Sequence, residues 1–170
     1  YEDVAFVYHE GLFSGTSSTL FSPDAPMTRA MLVTVLYRLE GEPVVKERSS
    51  FSDVARSSYY EDAVAWAASH GIVNGTSAAA FSPNANVTRE QLTAILFRYA
   101  QYKKYDTRAS VSLNRFTDAA SVSGYAEASM QWAVAEGLVG GANGMLMPAA
   151  SATRAQVAAI FHRFVENITK

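Results

Sequence analysis

Cysteine is absent from this 170-residue chain, so neither a disulfide framework nor a thiolate metal site can be built. A basic surplus is absent too: 14 lysines and arginines stand against 16 aspartates and glutamates, for a net charge of −2. That balance disfavours nucleic acid as a partner, a helix-turn-helix reader included, because such surfaces need clustered positive charge. No apolar run approaches the ~18 residues that a membrane span requires. No signal peptide is visible and the first residue is Tyr, not Met. The chain is therefore expected to be a piece of a longer protein, with any export signal outside it. His9, His70 and His162 are singletons, and no nucleophile–base pair or metal spacing recurs. No enzymatic activity, metal or cofactor is expected on these grounds. What the chain does have is apolar content, 49% of its residues, enough for the core of one ordinary domain without staples.

It also has an internal repeat. The stretch N-V-T-R-E-Q-L-T-A-I-L-F-R-Y-A at 86–100 returns as P-M-T-R-A-M-L-V-T-V-L-Y-R-L at 26–39 and S-A-T-R-A-Q-V-A-A-I-F-H-R-F at 151–164. Thr28, Thr88 and Thr153 align at steps of 60 and 65 residues, which makes the chain a three-unit array. Each Thr is a good N-cap, since its hydroxyl can accept from a first-turn N–H. Gln91 and Gln156, three residues on, complete a capping box in which the glutamine reaches back to the cap; Met31 cannot. The residues that follow are apolar almost all round, which predicts three central, buried helices.

Directly after each cap comes an arginine: Arg29, Arg89, Arg154. A cation in the first helical turn opposes the helix dipole, so three at one register point to a use. Two readings fit: a salt bridge to a neighbouring unit's carboxylate, or an anion site shared with free helix-N-terminal N–H groups. A second arginine recurs nine residues later, at Arg38, Arg98 and Arg163.

Ahead of each long helix lies a short amphipathic one, ending at Gly11, Gly71 or Gly137, where glycine serves as a left-handed stop. Phe6, Trp66 and Trp132 sit five residues before that glycine, either as buried anchors or as platforms for a sugar face. Gly15, Gly75 and Gly141 follow in a second turn. They serve tight turn chemistry, or expose backbone N–H groups near the arginine of the following helix. The loop then runs through F-S-P (Phe21–Pro23, Phe81–Pro83) or L-M-P (Leu146–Pro148). Units two and three open on F-S-D-V at Phe51 and F-T-D-A at Phe116. Asp53 and Asp118 there either brace a turn or pair with a neighbouring arginine. The first unit lacks this opening, so the chain is expected to begin inside it.

F-S-D-V, A-V-A-W-A-x-x-x-G-I-V-N-G and F-S-P-N-A-N-V-T-R-E-Q-L together resemble the S-layer homology domain, found as triplets on surface proteins, chiefly of Gram-positive bacteria. The resemblance covers essentially the whole chain. It implies a mainly α, pseudo-threefold helical bundle of three repeats: 1–41 (opening element missing), 51–102 and 116–166, together one compact domain. It implies an extracellular location at the cell wall or S-layer and no catalysis. The implied partner is secondary cell-wall polysaccharide, often carrying pyruvylated N-acetylmannosamine, bound in grooves between repeats for a larger surface protein. A structural or protein-interaction module of the same fold is the alternative. The family's T-R-A-E arginine falls on Arg29, Arg89 and Arg154, and its glycines on Gly15, Gly75 and Gly141 with the preceding ones. Trp66, Trp132, Asp53 and Asp118 join them as expected glycan-binding residues. The motif's glutamate is Met31, Gln91 and Gln156 here, and the third unit's loop departs furthest from the pattern. The second unit is thus expected to make the best site and Arg154 the weakest contribution.

Overall fold

The computed structural model describes residues 1–169. Six helices form, a short and a long one in each unit: α1 (Glu2–His9) and α2 (Arg29–Leu39), α3 (Glu61–Ser69) and α4 (Arg89–Tyr102), α5 (Glu127–Ala135) and α6 (Arg154–Asn167). Two 3₁₀ turns, Ala119–Ser121 and Gly124–Ala126, lead into α5, and no strand occurs among the described residues. None of the described helices is long and apolar enough to cross a membrane.

The caps act as the sequence predicts. Thr28, Thr88 and Thr153 each accept from the third backbone N–H, and the reciprocal glutamine bond is present at Gln91 and Gln156. Gly11, Gly71 and Gly137 stop the short helices at φ near +70°. The long helices converge on the core, where Leu32, Leu36, Leu92, Leu96, Phe161 and Phe164 are buried.

Each long helix packs against the short helix of the next unit around the ring: α2 on α3, α4 on α5, and α6 back on α1. An aromatic pair marks each seam. Tyr37 meets Trp66 at 5.7 Å, Phe97 meets Trp132 at 5.3 Å, and His162 stacks on Phe6 at 4.2 Å between ring centroids. The residues just before the caps close a cycle of main-chain bonds. Met27 N–H donates to the Ala152 carbonyl, Ala152 N–H to Val87, and Val87 N–H to Met27, at 2.9, 2.9 and 2.8 Å. The three units therefore meet as a closed triangle whose last member touches its first.

Candidate functional site: two inter-unit grooves

The same cyclic order fixes where the capping arginines point. Arg29 Nε donates to the Phe81 carbonyl and Nη2 to the Asn74 carbonyl, both at 2.9 Å. Arg154 Nε donates to Phe21 O at 2.8 Å and Nη2 to Ser14 O at 2.6 Å. Arg89 Nε donates to Leu146 O at 2.8 Å. Each arginine thus serves the loop of the next unit around the ring. The guanidiniums of Arg29 and Arg154 also lie over the Phe81 and Phe21 rings, at 4.7 and 4.6 Å from the centroids. Burial pulls all three guanidiniums below the usual arginine range, yet arginine titrates too high to lose its charge near neutrality.

Four sequence expectations change here. The N–H groups of the long helices' first residues are not free. Those of Arg29 and Ala30 donate to Ala85 O and Pro83 O, those of Arg89 and Glu90 to Ala150 O and Pro148 O, and those of Arg154 and Ala155 to Ala25 O and Pro23 O. A neighbouring loop caps each helix, so no open N-terminal cradle exists. The arginines meet loop carbonyls and rings, and among the described residues none of the three forms a salt bridge. Trp66 and Trp132 are only 2% and 1% exposed, so they are core anchors at the seams and offer no face to a sugar. Gly75 faces Arg29, the preceding unit's arginine, rather than the arginine of its own following helix.

Asp53 and Asp118 brace turns. Asp53 accepts from the Phe81 and Ser82 N–H groups, both at 2.8 Å. Asp118 accepts from Leu146 and Met147, at 2.8 and 2.7 Å. Partial burial pushes both carboxyls up, but these N–H bonds and the arginine nearby outweigh it and hold them below the ordinary carboxylate value. Ser82 and Met147 sit at positive φ, as does Ser22, a conformation most side chains avoid.

Two grooves emerge at equivalent places. One, of about 320 Å³, is lined by Asn74, Gly75 and Thr76 from the second unit's loop, by Gln91, Ala94, Ile95 and Arg98 from α4, by Arg29 from the first unit and by Tyr125 from the third. The other, of about 430 Å³, holds Ser14, Gly15, Met31, Thr34, Val35 and Arg38 of the first unit with Arg154 of the third and Tyr59 of the second. Both of these grooves draw residues from all three units. The glycines are required by close approach. A Cβ on Gly75 would stand 2.5 Å from the Ala80 carbonyl oxygen and 2.6 Å from the Phe51 ring, and nearer still to the Ser77 oxygen. On Gly15 it would meet the oxygens of Ser17 and Leu20, and on Gly141 the Met145 oxygen at 2.7 Å.

The model of the S-layer homology domain matches residues 1–30, 50–93 and 115–158. This chain belongs to the S-layer homology domain family. It is 32% identical over 155 residues to an endoglucanase of a Bacillus species, matching 91% of this chain and 16% of that protein. It is 32% identical to the surface-layer 125 kDa protein of Lysinibacillus sphaericus, over 98% of this chain and 14% of that protein. An amylopullulanase of Thermoanaerobacterium thermosulfurigenes is 30% identical over 91% of this chain and 8% of its own length. The S-layer homology chain is thus a small part of the length of the relatives it matches. The same region recurs beside names as different as two hydrolases and a surface-layer protein.

Within this S-layer homology domain, the groove around Gly75 brings Arg29 of the first unit to the loop and long helix of the second. The expected weakness of Arg154 does not follow from the third unit's altered loop. That loop faces Arg89, while Arg154 faces the loop of the first unit. Sequence reasoning gave no site role to Tyr59 and Tyr125, which enter the Gly15 and Gly75 grooves from the opening segment of another unit. Arg38 and Arg98 were visible, with Arg163, as a periodic set but had no site to belong to until the grooves were formed.

Proposed function

We propose that this domain holds a larger exported protein to the bacterial wall by binding secondary cell-wall polysaccharide in its inter-unit grooves. Its place is the cell wall or cell surface. The observation that carries the reading is the pair Arg29 and Arg98 in the Gly75 groove, with no carboxylate among the lining residues. Arg29 uses Nε and one Nη2 N–H on loop carbonyls, and a guanidinium has further N–H donors to give. Among the described residues the Arg98 side chain makes no hydrogen bond or ion pair, and it lines the groove, so its donors are open to a ligand. Two cations lining one cleft select an anion, and the carboxylate of a pyruvyl ketal on an N-acetylmannosamine fits the fork geometry that arginine reads best. Neutral sugar rings beside it would meet Tyr125, Ala94 and Ile95. Arg154 with Tyr59 forms the equivalent site, and Arg89 with the Gly141 loop is the third candidate. The domain itself is read as non-catalytic; any catalytic region belongs to other parts of such proteins.

Sedimentation with purified sacculi tests this. The domain should pellet with native sacculi and much less with sacculi stripped of pyruvyl groups, and high salt should release it, since exposed charge contacts are screened over ~8 Å. Equal pelleting with both preparations would remove the anion from the account. A structural module that binds no glycan would stay in the supernatant with either.

A further inference from the structure

One carboxylate breaks the threefold pattern. Glu90 follows Arg89, where the other two units have Ala30 and Ala155. It is buried, 8% exposed, yet it makes no ion pair among the described residues. Its partners all lie in the third unit's entry segment. Oε2 accepts from the Ser123 N–H at 2.9 Å, while Oε1 accepts from the Ser123 hydroxyl at 2.7 Å and from the Tyr125 hydroxyl at 3.3 Å. Tyr125 is 56% exposed and lines the Gly75 groove with Arg29 and Arg98. Tyr59, its counterpart in the Gly15 groove, has no carboxylate holding it, because Ala30 occupies that place.

We propose that Glu90 is a positioning residue that holds Tyr125 as an aromatic wall of the Gly75 groove, against which a sugar ring of the bound glycan packs. This rests on the glycan-binding reading above. An exposed tyrosine on a loop would spend its rotamer and backbone freedom on binding. Three hydrogen bonds to a buried carboxylate restrain that freedom beforehand, so the apolar face is in place when the ligand arrives. The aromatic role that sequence assigned to the two tryptophans passes to a tyrosine on another unit. Its fixation is specific to one groove.

Titration with pyruvylated N-acetylmannosamine, followed by NMR at the Gly75 and Gly15 amides, separates the two grooves. Tyr125→Ala should weaken saturation at Gly75 by roughly tenfold, and Glu90→Ala by a similar factor, with the Gly15 response unchanged. In a Tyr125→Ala background, Glu90→Ala should cost nothing further, because its effect passes through the ring. Tyr125→Phe keeps the ring and the fold and should lose less than threefold. Glu90→Gln, which keeps an acceptor for Ser123, should recover most of the affinity. If Glu90→Ala weakened binding equally with and without Tyr125, Glu90 would be a structural brace and the inference would fall. Unchanged affinity in Tyr125→Ala would overturn it as well, and if Arg29→Ala still abolished binding there, the groove reading would survive alone. No response at Gly75 in the unaltered domain would end both.

Discussion

The groove around Gly75 and the groove around Gly15 use equivalent backbone positions and the same pair of arginine registers, yet they present different chemistry. In the first, Arg98 is unengaged. In the second, its counterpart Arg38 donates to the Leu12 carbonyl at 3.2 Å and the Ser14 hydroxyl at 3.1 Å, and approaches Glu42 at 4.0 Å. The first has Gln91 and Ala94 on its floor, the second Met31 and Thr34. The loop of the first is braced by Asp53 and backed by the Phe51 ring. Repetition of the frame thus fixes where a groove forms. A few side chains that the frame leaves free to vary decide whether its charge is available to a ligand.

The strongest way to break the comparison is Gly75→Ala. The added Cβ would collide with loop carbonyls and the Phe51 ring, and relief requires moving backbone. A loss of ~3 kcal/mol in thermal unfolding is expected, with the Gly75 groove gone. Gly15→Ala meets two carbonyls but no ring, so it should cost less. Equal losses would show that the Phe51 contact adds nothing.

Next in size are the capping arginines. Arg29→Ala and Arg154→Ala each strip two charged hydrogen bonds from loop carbonyls, and each should lower stability by ~2–3 kcal/mol in denaturant unfolding. Arg89→Ala, which loses one such bond at a less buried position, should cost about half as much. A neutral Arg154→Ala would mean that the Gly15 loop is held by other means.

Arg98→Ala against Arg38→Ala sharpens the contrast directly. The first should leave the melting temperature unchanged and weaken glycan binding about tenfold, the value of one charged hydrogen bond to an anion. The second should lower stability by ~1 kcal/mol and leave the Gly75 response alone. Calorimetric titration of both variants decides it, and a reversed pattern would relocate the principal site.

The smallest effect expected is acid sensitivity. Asp53 is held below the ordinary carboxylate value, and its contribution to folding is complete above the unfolded value near pH 4. It is lost as pH falls through the lower folded value. Asp53→Asn should therefore flatten the fall in stability below about pH 4, and Asp118→Asn should do so separately, as equivalent bonds lower its carboxyl. Unfolding curves across that range that matched the parent would assign the acid response to other carboxylates.

Local rules made much of the fold legible. Thr caps, glutamine boxes and glycine stops act within a single turn, and their spacing revealed three units and six helices. The partner of each arginine was not legible, because it lies one unit further around a ring that no local pattern encodes. Trp66 and Trp132 were ambiguous for the same reason: their register is that of a seam, and only the packing of α2 and α4 against it shows the rings to be enclosed. Ser22 and Ser82 at positive φ carry no glycine to announce them. Tyr125 had no site role legible in its polar entry segment, since that role depends on Glu90 from another unit.

The cycle of bonds through Met27, Ala152 and Val87 also bears on how the domain carries mechanical load. In an open array the terminal unit is joined along one edge and can be peeled away first. Here every unit shares an edge with both others, and α6 lies along α1. A pull through either end of the chain must open two seams before any unit comes free. A domain closed this way is expected to yield to a pulling force in one step rather than unravel piece by piece, which single-molecule stretching would read as one rupture peak.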